Sequence, residues 1–177
     1  MIVLETKRLL FRDHVLEDLD PYCAMEANPA VRRFVGGQPR TRRAAEQKFR
    51  AVFLPPVKDR TGLWATIFKP ENRYIGYCGI YPHFGAAGAI PGEGALGFYL
   101  ARDFWGQGLA TEAGREFVEF GFSELRLSRI VATVEVGNEA SLRVLQKLGF
   151  RLLRREKGEN RSFHHFELRN PLTPHQA

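Results

Sequence analysis

The sequence predicts a single α/β domain built on one mixed β-sheet. Three observations carry that expectation. Short apolar runs of strand length alternate with stretches of helical periodicity, in the order β-α-α-β-β-β-α-β-α-β-β. The 177 residues suit one domain, 1–177, with neither internal repeats nor a low-complexity linker to divide it. A composition of 44% hydrophobic and 12% aromatic residues, including 14 phenylalanines, supplies a full and largely aromatic core.

KRLLFRD (7–13) reads as the first strand. Asp20-Pro21 then offers an N-cap and a first-turn proline to a helix carrying Tyr22, Cys23 and Met25, which Asn28-Pro29 closes. Gly36, Gly37 and Pro39 break the chain before a second helix over about 41–53, ended by Pro55-Pro56. GLWATIFK (62–69) and YIGYCGIY (74–81) read as strands joined by the turn PENR. His83 to Gly92, rich in glycine and alanine, is expected to be a loop. ALGFYLA (95–101) has little polar character and reads as a central strand buried on both faces. After WGQG, a stripe of Ala110, Ala113, Phe117, Phe120 and Leu125 predicts a helix. RIVATVEV (129–136) is a further strand. A helix from Asn138 to Leu148 follows, with Gly149 placed as its C-cap glycine. FRLLRRE (150–156) and RSFHHFEL (161–168) complete the sheet.

The balance is basic, 26 Lys+Arg against 20 Asp+Glu for a formal +6, which favours anionic partners. The charges are dispersed, and the densest group, Arg40 to Arg50, reads as a solvated helix face. A nucleic-acid role is disfavoured because no clustered basic stripe or reading motif occurs. Cys23 and Cys78 lie far apart without partners at metal spacing, and His164 and His165 are strand neighbours that point to opposite faces, so no metal is expected. MIVLE meets a charge too early for a signal-peptide core, and no apolar run approaches the roughly 20 residues a bilayer needs. A cytoplasmic protein without a membrane partner is the expectation.

Three places are candidates for chemistry. In WGQGLATEA a strand gives way to a helix through Gly106-Gln107-Gly108. The free amides and positive dipole end of a helix start attract an anion, and glycine lets a phosphate approach the backbone. Gly106, Gln107, Gly108, Ala110 and Thr111 would offer the amides; tight helix packing is the competing reason for such glycines. Neither a Lys-Ser/Thr continuation nor G-x-G-x-x-G is present. Asn138-Glu139-Ala140-Ser141 is the second place. Asn138 is a preferred N-cap and Ser141 sits in the first turn, where the two helix openings could face one cleft. Glu93, two residues before Ala95 and on the same side of the strand, is either a general base or a solvated glutamate.

Together, ETKRLLFR, FYLARDFWGQGLATEA and NEASLRVLQKLGF make the chain resemble the GCN5-related N-acetyltransferases (GNAT), in the branch of ribosomal-protein N-terminal acetyltransferases (RimJ/RimL-like), over nearly its whole length. The resemblance implies a GNAT fold of six to seven strands and about four helices. It implies acetyl-CoA as co-substrate, no metal, and direct acetyl transfer to a primary amine in a ternary complex. The coenzyme diphosphate would lie on Trp105 to Ala110, including Leu109, with Thr111 alongside. Phe98, Tyr99 and Leu100 would pair with the pantetheine arm, and Asn138 would reach the coenzyme from the opposite wall. The position at which many members carry a proton-donating tyrosine is Leu145 here, so Ser141 takes that role and also borders the coenzyme. The branch's glutamate before the central strand is replaced by Ala95, which leaves Glu93 or a water relay as base. The branch points to a protein N-terminal α-amine, with an acidic protein as the better partner of a +6 chain. A polyamine, an aminoglycoside-type amine, a non-catalytic acetyl-CoA sensor and a homodimer stay open at this level.

Overall fold

The computed structural model describes residues 2–55 and 60–172. An eight-stranded sheet runs in the order β1-β2-β3-β4-β5-β6-β8-β7, where the strands are β1 (Ile2–Glu5), β2 (Leu9–Arg12), β3 (Trp64–Phe68), β4 (Arg73–Gly85), β5 (Gly88–Leu100), β6 (Arg129–Glu135), β7 (Arg151–Lys157) and β8 (Ser162–Arg169). Every neighbouring pair is antiparallel except β5 and β6. The helices are α1 (Leu19–Ala27), α2 (Pro29–Arg32), α3 (Arg42–Lys48), α4 (Leu109–Ser123) and α5 (Glu139–Lys147). The fold class is as expected, with eight strands and five α-helices among the described residues rather than the six to seven strands and about four helices anticipated. Among the described residues, no helix is long and apolar enough to cross a membrane.

The differences have local causes. Ile2–Glu5 forms an edge strand that pairs with β2, so the chain begins with a hairpin. Asp20 does not cap α1. A short 3₁₀ turn over Leu16–Asp18 precedes the helix, and Asp18 is engaged by Arg12 at 2.7 and 2.8 Å. Asn28 ends α1 as expected and also starts a further short helix: its amide donates to the Met25 carbonyl at 3.1 Å, and its side chain accepts the Ala30 amide at 2.9 Å, opening α2. The expected loop 83–92 is mostly sheet, because β4 and β5 continue as one long hairpin that pairs Phe84 with Ala89 and Gly85 with Gly88. Glycine and alanine have poor strand propensity. Here the ladder hydrogen bonds hold the segment without a core beneath it, and Phe84 is exposed.

Each face of the sheet carries its own core. Leu109, Ala113, Phe117 and Phe120 of α4, with Leu145 of α5, cover one face. There the Trp64 and Phe117 rings stack 5.6 Å apart. A Cβ at Gly121 would meet Ile80 at 2.6 Å, so α4 lies as close to the sheet as it does because that position has no side chain. The other face is covered by α1 to α3 through Tyr22, Met25, Val31 and Ala45, with Phe49 from the helical turn that follows α3, packed on Ala65, Ile67 and Tyr77. Both cysteines are free and buried.

Candidate active site

The site originates in the parallel pair of the sheet. β5 and β6 pair only through Glu93–Arg129, Gly94–Ile130 and Ala95–Val131, and the strands then separate. β5 stays paired with β4 as far as Leu100, so beyond Ala95 it has an unpaired edge facing the gap. The gap is the cleft of the molecule and encloses about 550 Å³. One wall carries Leu96 to Leu100 and the start of α4, and the other carries Ala132 to Glu135 and the start of α5. An extended ligand laid in such a gap can pair with the free edge as an added strand.

The Gly-Gln-Gly turn forms the floor of the α4 wall. Gly106 and Gly108 have φ of +73° and +78°, in the left-handed region that side chains disfavour. A Cβ on Gly106 would meet nothing within 4 Å, so packing does not exclude a side chain there; backbone conformation does. The turn opens α4, a 15-residue helix whose first amides and dipole face the cleft. Backbone conformation, rather than close packing, is therefore what calls for glycine at this turn. Trp105 anchors the entry by donating its indole N–H to the Leu100 carbonyl at 2.7 Å.

Two residues outside the expected set hold this turn. Arg8 donates to the Gln107 carbonyl at 3.0 Å and to Glu112 at 2.7 Å, while Glu112 also accepts the Arg8 amide and the Thr6 hydroxyl. Burial opposes ionisation of Glu112, but these hydrogen bonds outweigh it and hold the carboxyl below its ordinary range. The segment ETKRLLFR thus braces the glycine turn across more than 100 residues of chain. The same contacts place Gln107 differently from expectation. Its carbonyl goes to Arg8, its side chain to the Asp103 carbonyl, and it does not line the cleft.

Phe98, Tyr99, Leu100, Gly106, Gly108, Leu109, Ala110, Thr111, Asn138 and Ser141 all line the cleft. Asn138 caps α5 by accepting the Ser141 amide at 3.2 Å, which sets that helix opening against the one from α4. Leu145 is fully buried at the same wall. Burial pushes the Tyr99 phenol up to about 12, so it stays neutral, and its ring lies 4.8 Å from Tyr77.

Glu93 is the expectation that its surroundings do not fit. It sits where β5 and β6 are still paired, behind the apex of the gap, and is not among the cleft-lining residues. Arg129 reaches it at 2.7 Å and His83 Nδ1 at 2.8 Å. Burial opposes its ionisation, yet these hydrogen bonds prevail and hold the carboxyl below its usual range, the opposite of what a general base needs. Strand parity alone could not reveal this, because the arginine comes from a strand 36 residues on.

Arg33, Phe34 and Val35 after α2, with Tyr81, Thr133, Glu135, Arg143 and Lys147, also line the cleft. Arg143 and Lys147, one helical turn apart on α5, were legible as a basic pair, but nothing local told which way it faced. Among the described residues no group of three His, Cys, Asp or Glu side chains could hold a metal ion.

Residues 8–151 match the acetyltransferase (GNAT) domain family, most of the chain. The chain therefore belongs to the GNAT acetyltransferases and is an N-acetyltransferase by family. It is 32% identical over 151 residues to the uncharacterised N-acetyltransferase p20 of Bacillus licheniformis, covering 85% of this chain and 83% of that protein. Its fold is similar to that of a GNAT acetyltransferase from Bacillus anthracis, with a TM-score of 0.81, 20% identity, and 96% and 98% of the two chains covered. It also resembles the spermidine N-acetyltransferase of Vibrio cholerae, solved with CoA and spermine, at a TM-score of 0.74 and 14% identity over 93% and 96% of the chains.

Proposed function

We propose that this chain transfers the acetyl group of acetyl-CoA to a primary amine, a protein N-terminal α-amine as in the RimJ/RimL-like branch. The observation that carries the reading is the splayed strand pair ending at a helix opened by two positive-φ glycines. The edge is shaped for a pantetheine arm and the turn for a diphosphate. Arg143 and Lys147 on the facing wall supply cations suited to the remaining phosphate charge.

Bound acetyl-CoA supplies a thioester carbonyl for attack. The backbone of Phe98 to Leu100 orients the arm, and an amide there stabilises charge that develops on the carbonyl oxygen. The Asn138 cap presents the first turn of α5, and Ser141 in that turn hands a proton to the leaving sulfur. Leu145 keeps this wall dry.

Charge in the cleft bears on the acceptor class. Among the described residues the carboxylates lining the cleft are Glu135 and Glu139, and Glu135 is bound by Arg161. Arg33, Arg143 and Lys147 line it as well. A polycation needs several uncommitted carboxylates, whereas a peptide amine needs one hydrogen-bonding end and room beyond it. Thiol release from acetyl-CoA, measured against peptides with free N-termini, polyamines and aminoglycosides, tests this. Peptides should give the highest kcat/KM, and Ser141→Ala should lower it at least about tenfold with little change in coenzyme affinity. Tight coenzyme binding without turnover on any amine would make the protein a sensor.

A further inference from the structure

With Glu93 tied to Arg129 and His83, the amine-deprotonating group of the acetyl transfer proposed above has to come from elsewhere. We propose that Thr133, His165 and Glu156 form a proton relay that takes the proton from the acceptor ammonium and passes it to solvent.

Thr133 lines the cleft on β6. Val131 is the last β6 residue paired with β5, opposite Ala95, so continuing that register puts Thr133 level with Gly97, where the strands have separated. Behind it, Thr133 Oγ1 lies 3.1 Å from His165 Nδ1, and His165 Nε2 lies 3.0 Å from Glu156 Oε2. Three adjacent strands contribute one residue each, and the β6–β8 register sets Thr133 directly opposite His165.

The chemistry of the partners fixes the direction of the chain. Ionised Glu156 can only accept, and hydrogen bonds from Arg154 and His165 hold its carboxyl below the usual range. Nε2 therefore carries the ring proton. In the neutral ring Nδ1 is then an acceptor, and the Thr133 hydroxyl donates to it. This is a hydroxyl polarised by an imidazole that a carboxylate orients, the arrangement that activates a proton-transferring oxygen. The side chain of Glu156 is half exposed and that of His165 one-fifth exposed, so the relay ends in solvent.

Other charged groups facing His165 are committed. Glu135 on β6 is bound by Arg161, Glu167 on β8 by Arg129 and Arg169, and Arg154 on β7 by Glu156. Imidazole is the side-chain type suited to shuttling protons near neutrality.

The step balances. An ammonium N–H bond breaks toward Thr133 Oγ1 as the Thr133 proton moves to Nδ1, and the imidazolium releases its Nε2 proton along Glu156 to solvent; proton exchange of the one-fifth-exposed ring with water then returns the proton to Nε2 before the next turnover. The freed lone pair forms the N–C bond while the C–S bond breaks with its electrons on sulfur. The second amine proton reaches sulfur by way of Ser141.

Two measurements on the full chain test the relay. With the best amine of the panel above, Thr133→Val and His165→Gln should each lower kcat/KM about 100-fold at pH 7. In both variants the rate should climb with the free-amine fraction as pH rises, and Thr133→Ser should restore activity. Nitrogen NMR of the His165 ring should show the proton on Nε2, with the Nδ1 signal shifted in Thr133→Val. A wild type that turns over while both variants keep its kcat/KM and pH profile overturns the relay alone. So does a proton resident on Nδ1 of the neutral ring. A wild type that acetylates no amine overturns the transfer reaction itself, and the relay with it.

Discussion

Gly108 illustrates how a single residue reports on function. Its φ of +78° costs an L-residue about 1–2 kcal/mol, and it opens the helix whose amides face the cleft. Gly108→Val should lower stability by about that amount and weaken acetyl-CoA binding at least about tenfold, because the strained turn relaxes away from the diphosphate. Titration calorimetry reads the affinity; the same dissociation constant in the variant would remove this turn from the coenzyme site. The glycines themselves were legible in WGQGLATEA, since a left-handed turn before a helix demands them. Their support was not, because Arg8 and Glu112 meet only after folding.

At the level of elements, the part of the cleft lined by Arg33, Phe34 and Val35, which we propose as the amine side, depends on how α1, α2 and β4 lock together. Glu26 of α1 is 1% exposed and accepts from Arg32 at 3.3 Å, from Arg40 at 2.8 Å and from the Tyr77 hydroxyl at 3.2 Å. Arg32 is also buried and reaches the Gln38 carbonyl, so the turn that carries Arg33, Phe34 and Val35 into the cleft hangs from this cluster. Removing one partner of a buried pair leaves the other charge uncompensated, which costs about 3–5 kcal/mol. Glu26→Ala should destabilise the protein by that amount in urea unfolding and raise KM for the amine more than for the coenzyme. A small loss of stability would show that water reaches Arg32. The sequence reading finds α1 but neither α2 nor their junction, since a glutamate and an arginine six residues apart suggest only a solvated pair.

For the whole molecule, global stability responds to pH through His14. The ring is 7% exposed and sits among Phe49, Phe53, Tyr74 and Tyr77, with Nε2 3.1 Å from the Leu63 carbonyl. Burial pushes it down to about 4 from its ordinary 6.5. Between those values the unfolded chain binds the proton and the folded chain does not, so stability falls as pH drops through that window. Unfolding free energy should fall by about 1 kcal/mol between pH 7 and pH 5.5 on this account. His14→Gln should lose most of that slope, and an equal fall in both proteins would assign it to other groups.

What the sequence alone determined were the properties set within a few residues of chain: most strands and helices, the glycine turn before α4, the Asn138 cap, and a resemblance sufficient to name the family. The tertiary structure decided which distant groups share a strand level. It put Glu93 behind the apex with Arg129, extended the β4–β5 hairpin through a glycine-rich stretch, and set Thr133 opposite His165. The reason is physical. Periodicity and capping follow from backbone geometry over one or two turns, whereas cross-strand neighbours depend on strand order and register, which the whole core selects at once.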